Sequence, residues 1–157
     1  LIKEKYNQGR KILVLSDRRN HCNELKRLLE ATITNSENEV GLYYGGMKTE
    51  ALKKSNDCKI IIATYQMASE GYDNPGLDTL ILASPKGNVE QAVGRILRRK
   101  NLNPALVIDI NDTISVFNNW NRKRQMLYKS KNFKIVNNFK EIKEEHDLVL
   151  NEYLLIE

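Results

Sequence analysis

Residues 88–99 read NVEQAVGRILRR, and they decide the fold because they predict a helix with two unlike faces. Its apolar side chains recur at the spacing of a buried helical stripe, at Val89, Ala92, Val93, Ile96 and Leu97. The opposite face carries Gln91, Gly94, Arg95 and Arg98. Asn88 can cap the helix start by accepting a backbone N–H. Glycine costs about 1 kcal/mol relative to alanine in a helix interior, so we expect something to approach the backbone closely at Gly94.

Short apolar runs typical of strands buried on both faces lie on either side of this helix. They cover residues 11–15, 40–44, 59–63, 79–83 and 105–110. Helical patterns alternate with them at residues 20–31 and 48–54, with a short helix or turn at 64–73 and a polar lead-in at 1–10. This alternation predicts an α/β fold with an open, mostly parallel sheet and helices on both of its faces. Ligands bind such sheets beyond the carboxyl ends of the strands, the edge predicted for Ser16, Gly45, Thr64 and Pro85.

The C-terminal residues 111–157 form an extension of a single domain that spans residues 1–157 and has its core at about 11–110. The extension is predicted to contain a helix at 113–129, a strand at 133–139 and an acidic amphipathic helix at 140–155. One side of the first helix carries Ile114, Phe117, Trp120, Arg124 and Tyr128. We favour an aromatic stripe packed on the sheet. The alternative is a surface that stacks bases beside the basic cluster at 122–124.

The charge of the chain is uneven along its 157 residues. The net charge is +5, and residues 86–131 supply the positive excess, which suits contact with nucleic acid or with an acidic partner. Cys22 and Cys58 match no metal or redox spacing, so we expect two reduced thiols, an intracellular protein and no metal site. No apolar run is long enough to span a membrane. The chain does not begin with Met, and we expect a piece of a longer protein.

The residue set Gln91, Gly94, Arg95 and Arg98 resembles motif VI of the superfamily 2 helicases and translocases. The resemblance implies the second of two RecA-like domains, whose helix reaches across a cleft to ATP held by the first domain. Arg95 and Arg98 then act as catalytic groups on the γ-phosphate, and Gln91 orients them, with Gly94 close to the cofactor. Guanidinium groups suit this task because they stay charged and donate paired hydrogen bonds to the phosphoryl oxygens.

Residues 63–73, ATYQMASEGYD, resemble motif V of the same superfamily. The resemblance implies that the Thr64 hydroxyl contacts a nucleic-acid phosphate, that the Gly71 backbone approaches the nucleotide and that Asp73 accepts a hydrogen bond from the ribose. Taken alone, Asp73 is more typical of a turn, but the neighbouring motif VI favours the site. Residues 13–19 resemble motif IV, and 44–46 resemble the family's glycine turn. By this resemblance Ser16, Arg18, Gly45 and Thr64 line the track of a single strand.

The sequence has neither a phosphate-binding glycine loop nor the Asp-Glu pair that holds magnesium in this family. The resemblance therefore implies that ATP and Mg²⁺ are bound mainly by an absent N-terminal RecA-like domain, and that this fragment alone is inactive. The expected nucleic acid is single-stranded or duplex DNA, with RNA as a possibility, and no membrane is involved.

The amino-acid sequences of the matching stretches are most similar to those of helicases of large DNA viruses and phages. A viral protein would act in the host cytoplasm or the virion. Two alternatives stay open. One is a non-catalytic nucleic-acid binding module with a helicase-like fold. The other is a different α/β nucleotide or signalling domain whose arginines form a protein interface.

Overall fold

The computed structural model describes residues 1–69, 72–97, 103–111, 115–136 and 153–156. Seven strands form one sheet: β1 Ile12–Ser16, β2 Val40–Tyr43, β3 Ile60–Thr64, β4 Thr79–Leu82, β5 Leu106–Asp109, β6 Phe133–Val136 and β7 Tyr153–Ile156. The helices are α1 Ile2–Asn7, α2 Arg19–Glu30, α3 Ser36–Glu39, α4 Thr49–Asp57, α5 Tyr65–Ser69, α6 Glu90–Ile96 and α7 Ser115–Ser130. None of the helices in these ranges combines the length and the apolar composition that crossing a membrane requires.

The sheet has the strand order β2-β3-β1-β4-β5-β7-β6, and each of these neighbouring pairs is parallel. The five strands predicted from apolar runs are present and adjacent, which confirms the α/β fold with a parallel sheet. Parallel strands are buried on both faces, and every residue of β1, β3 and β4 is buried. The carboxyl ends of these strands therefore meet at one edge.

Two apolar clusters cover the two faces of the sheet. Alternate residues of a strand point to opposite faces, so Leu13 and Leu15 pack in one cluster while Ile12 and Val14 pack in the other. The first cluster contains the buried apolar residues of α5 and α6 together with Tyr128 of α7. The second contains Cys22 and Leu29 of α2, and Ile2 and Tyr6 of α1 pack against it.

Both ends of the chain differ from the sequence-based expectation. Residues 1–10 are more than a lead-in, since they contain α1 and the buried side chains of Lys5 and Arg10. The helix predicted at 140–155 is wrong at its end, where β7 is a strand between β5 and β6. Backbone pairing with two neighbouring strands overrides the local helical pattern there. Residues 137–152 of this prediction, and 137–139 of the predicted strand, lie outside the described residues.

Candidate functional site

A cleft of about 480 Å³ lies at the carboxyl edge of the sheet. It is formed by the ends of β1 and β3, the turn after β2 and the start of α6. Its lining includes Asp17, Arg19, Gly45, Thr64, Lys86 and Gln91. The topology of the sheet explains this convergence, because parallel strands bring their carboxyl ends, and the loops that follow them, to the same edge.

Three of the predicted site residues, Gly45, Thr64 and Gln91, line this cleft. Ser16 does not, because its side chain is fully buried below the surface. The Ser16 hydroxyl lies 2.9 Å from His21 Nδ1 and accepts the backbone N–H of Arg18 at 3.3 Å. These bonds stabilise the turn after β1, so the expected contact between Ser16 and a strand is corrected to a structural role. Arg18 is exposed on the same turn, outside the lining of the cleft.

Arg19 also lines the cleft, although the sequence pattern does not mark it as a site residue. Its guanidinium packs on the glycine turn, since a Cβ atom on Gly45 would lie 3.3 Å from Arg19 Nη2. The turn needs glycine at its next position, because Gly46 has φ +90°. Arg19 also lies 5.8 Å from the ring centroid of Tyr44, which gives a cation–π contact. The signal in the sequence was the Arg-Arg pair after β1, but its pattern does not show which arginine faces the sheet edge.

An ion pair crosses the floor of the cleft between Asp17 and Lys86. Lys86 Nζ donates to Asp17 Oδ1 at 2.9 Å and lies 5.2 Å from the ring centroid of Tyr65. The Tyr65 hydroxyl donates to the Ser84 carbonyl oxygen at 2.7 Å, and the Asp17 N–H donates to Ser84 Oγ at 3.0 Å. These bonds tie the turn after β1 and the start of α5 to the loop that leads into α6.

Helix α6 packs as the apolar spacing predicts. Its buried residues include Ala92, Val93 and Ile96, preceded by buried Val89, and Leu97 is half-buried against the same core. Asn88 Oδ1 accepts the Glu90 N–H at 3.2 Å at the start of the helix, as expected, although the N-cap position itself is Val89. The apolar stripe thus anchors the helix and leaves Gln91 exposed in the cleft.

Arg95 does not share the exposed face on which its helical position had placed it. Its side chain is 7% exposed, and its guanidinium carbon lies 5.6 Å from the ring centroid of Tyr72. Tyr72 is itself buried and packs edge-on against Tyr43, with centroids 4.6 Å apart. The segment after α5 therefore covers this part of α6, which a helical projection of one segment does not include. The aromatic face attracts the positively charged guanidinium of Arg95, and the aliphatic stem of the same side chain is apolar and tolerates burial.

The remaining predicted nucleotide contacts are described only in part. A Cβ atom on Gly94 would meet nothing within 4 Å, so no group of the described chain requires glycine there. A close approach at this position therefore has to come from a group outside the described residues. Asp73 is exposed. Gly71 and Arg98 lie outside the described residues.

A buried polar network joins α7 to the loop before α6. Arg124 Nε donates to Asp109 Oδ2 at 2.6 Å, the Tyr128 hydroxyl donates to the same oxygen at 2.9 Å, and Arg124 Nη1 donates to the Lys86 carbonyl oxygen at 2.8 Å. Burial, reinforced by the charge of Asp109, raises the pKa of Tyr128. Arg124 is therefore committed to the interior, and it does not contribute to a basic nucleic-acid surface with its neighbours.

Metal ligands are not clustered in the described part of the chain, where no three His, Cys, Asp or Glu side chains are placed to hold an ion. Cys22 and Cys58 are free and buried. Burial raises the pKa of the Cys22 thiol to about 11.

The match to a known family covers the cleft and all the elements that form it. Residues 1–100 match the model of the helicase conserved C-terminal domain. The chain belongs to this family. The helicase C-terminal domain is 45% identical over 113 residues to a protein of Acanthamoeba polyphaga mimivirus that is provisionally named an ATP-dependent RNA helicase. It is 33% identical over 100 residues to a protein of African swine fever virus with the same provisional name.

These two matches cover 71% and 62% of the helicase C-terminal domain but only 22% and 20% of the viral relatives, so the chain spans about a fifth of their length. The viral relatives confirm the resemblance to viral helicases. Their names specify RNA, and the expectation of DNA has no support from them.

Solved structures share the fold of this helicase C-terminal domain. The second domain of the DEAD-box helicase Mss116p, bound to an RNA duplex, gives a TM-score of 0.59 at 14% identity, over 99% of this chain and 56% of that one. A variant S. cerevisiae Dbp5 C-terminal domain, bound to a Gle1 variant and IP6, gives a TM-score of 0.59 at 14% identity. The match covers 85% of this chain and 79% of that one. At this identity the likeness shows the fold alone, and it confirms the RecA-like architecture.

Proposed function

We propose that this helicase C-terminal domain is the second motor domain of an ATP-dependent RNA helicase or translocase. The observation that carries the proposal is the cleft at the carboxyl edge of the sheet. It brings Arg19, Gly45 and Thr64 together on one side with Gln91 of α6 on the other. We choose RNA over DNA because the viral relatives are provisionally named RNA helicases. Since those relatives are viral, we also take the parent protein to be viral.

The nucleic-acid side of the proposal assigns the cleft to the phosphates of a single strand. A hydroxyl at Thr64 and backbone amides at the glycine turn donate hydrogen bonds to phosphate oxygens. The positively charged Arg19 guanidinium pairs with one phosphate of the strand. Arg18 is exposed just before it in the chain and can pair with the next phosphate. Ser16 holds the turn from below. Contacts of this kind carry little base information, so binding depends strongly on salt and weakly on sequence.

The nucleotide side of the proposal assigns α6 and the segment before β4 to ATP on a first RecA-like domain. Closure of the two domains brings the γ-phosphate to Arg95 and Arg98, and the Arg95 guanidinium, buried against Tyr72, moves out from that ring to reach it. Gln91 lies one turn earlier on α6, where the helix borders the first cleft, and orients the two arginines from there. Gly71 and Asp73 contact the nucleotide. The open space at Gly94 supports this assignment, because it leaves room for a group from outside the domain. ATP and Mg²⁺ are held mainly by the first domain, and Mg²⁺ neutralises charge that develops on the phosphates.

The cleft is tested by exchanging one of two arginines on α2. Arg19→Ala removes the guanidinium from the cleft, whereas Arg27→Ala removes an exposed guanidinium that pairs with Glu24 on the same helix. Binding of a fluorescent single-stranded oligo(U) to the chain is measured by anisotropy at several salt concentrations. We expect Arg19→Ala to weaken binding about tenfold and to make the slope of log affinity against log salt shallower by about 0.7. Equal behaviour of both variants would contradict the phosphate assignment.

A further inference from the structure

A second cleft of about 480 Å³ adjoins the one already described. The two share part of their lining, including Asp17, Lys86 and Asn88. The far wall of the second cleft belongs to α7, through Trp120 and Lys123. Helix α7 lies beyond residues 1–100, the part of the chain that matches the helicase family model. The two clefts therefore adjoin at Asp17, Lys86 and Asn88, and α7 lies on the far side of these shared residues.

The indole of Trp120 packs against two neighbouring residues at this cleft. A Cβ atom on Gly87 would lie 3.1 Å, 3.2 Å and 3.3 Å from Trp120 Cδ1, Cγ and Nε1. Three nearly equal distances place Gly87 against the face of the five-membered ring. Phe117 supports the indole from the same helix, with ring centroids 5.3 Å apart and planes tilted by 48°. Trp120 nevertheless stays 36% exposed, so a supported aromatic surface remains open to a ligand.

The charges around the second cleft suit a polyanion. Two lysines, Lys86 and Lys123, stand on its rim. Its two exposed carboxylates already face lysines, because Asp17 pairs with Lys86 at 2.9 Å and Glu90 pairs with Lys131 at 3.5 Å. A phosphate that enters beside the indole therefore meets neutralised acids and a further ammonium group at Lys123.

We propose that Trp120 stacks a base of the single strand whose phosphates occupy the first cleft. This inference rests on the proposed function, because it extends the same strand from the first cleft onto α7. An exposed aromatic ring beside basic side chains matches the way proteins bind single strands, since every base presents a flat π surface. The structure also separates two residues of the predicted aromatic stripe. Tyr128 is buried in the core, whereas Trp120 is exposed and available to a base.

The chain contains one tryptophan, so its fluorescence reports on Trp120 alone. The wild-type chain is titrated with an oligo(U) of about ten nucleotides and with an abasic strand of the same length and charge. Anisotropy of a dye on each strand measures binding separately from the indole signal. We expect the oligo(U) to quench the emission of Trp120, while the abasic strand binds through its phosphates without quenching it.

Three variants test whether the stacked ring contributes to affinity. Trp120→Ala should weaken oligo(U) binding about 5- to 150-fold and leave binding of the abasic strand unchanged. Trp120→Phe should keep most of the affinity, because it retains an aromatic face. The matched control is Met126→Ala, which removes another exposed apolar side chain of α7, 71% exposed, that is not part of the cleft. This control should bind both strands as the wild type does.

The outcomes separate this inference from the proposed function. If oligo(U) binds and Arg19→Ala weakens it, but Trp120 is not quenched and Trp120→Ala equals Met126→Ala, the stacking role is wrong and the proposed function stands. Equal quenching by the abasic strand also overturns stacking. If neither strand binds the wild-type chain, both proposals fail. If Trp120→Ala does not fold, the quenching of the wild-type chain by the two strands still decides the question.

Discussion

At the scale of single residues, Asp109 and Arg124 show how the region beyond the family match positions the site. Both side chains are 2% exposed, and Arg124 also donates to the Lys86 carbonyl oxygen. The pair therefore fixes the loop in which Lys86, Gly87 and Asn88 lead into α6. A buried charge of this kind is tolerated because its partner and its hydrogen bonds replace water.

Removing one member of this pair should destabilise the fold strongly. In Asp109→Asn the Arg124 guanidinium stays buried without its counter-charge, and we expect the free energy of unfolding to fall by about 3–5 kcal/mol. Urea denaturation measures the change. The matched control is Asp17→Asn, which breaks the exposed pair with Lys86 and should cost less than about 1 kcal/mol. Losses of the same size in the two variants would show that burial does not matter at Asp109.

At the scale of elements, α6 is anchored in the core on one side and has open space beside Gly94. Its apolar residues pack in the core and Asn88 accepts the N–H of its first residue, so the helix is anchored at its start. Glycine at position 94 weakens the helix, yet nothing in the described chain approaches it. The cost is explained if a group from the first domain or its nucleotide occupies that space during turnover.

Gly94→Ala should therefore affect stability and activity in opposite directions. In the chain alone, a methyl group fits without a clash, and we expect the free energy of unfolding to rise by up to about 1 kcal/mol. In the complete motor, the same methyl group blocks the approach, and we expect ATP turnover to fall. Thermal or urea unfolding measures the first effect and steady-state hydrolysis the second. Unchanged turnover in a stabilised variant would argue against a close approach at this position.

At the scale of the whole molecule, several buried acidic groups keep their protons to higher pH in the folded chain than in the unfolded chain. Burial raises the pKa of Tyr65, Tyr72 and Tyr128 above the ordinary value of about 10. Burial also raises the pKa of the Cys22 thiol from 9.0 to about 11. The native chain therefore holds more protons than the unfolded chain at alkaline pH. This contribution is complete below the ordinary pKa values and is lost as the pH rises above them.

We expect the free energy of unfolding to fall from about pH 9 upwards, first through Cys22 and then through the tyrosines. Urea denaturation at about pH 8 and about pH 10.5 measures the fall. Tyr72→Phe removes one of these groups. Between the two pH values the free energy of unfolding of this variant should therefore fall by about 0.8 kcal/mol less than that of the wild type. An identical loss in wild type and variant would show that Tyr72 does not retain its proton in the folded chain.

Much of this architecture was accessible from local patterns, and the exceptions have non-local causes. The apolar runs predict the five adjacent parallel strands, and the spacing of apolar residues predicts the buried stripe of α6. The strand β7 was missed because pairing with β5 and β6 overrides its local helical pattern. The burial of Arg95 was missed because Tyr72, from another segment, covers it. Arg19 was missed because two adjacent arginines look equally exposed in a sequence.

The most direct test of the central claim measures ATP turnover in the complete protein, in which we propose that this domain acts together with a first RecA-like domain. Turnover is compared, with and without single-stranded RNA, among the wild type, Arg98→Ala and the neighbouring charge-matched control Arg99→Ala. If the domain supplies γ-phosphate contacts, Arg98→Ala loses at least about 100-fold while Arg99→Ala stays near the wild type. If both variants turn over ATP as the wild type does, residues 88–99 form a basic surface without a catalytic role, and the motor assignment is wrong.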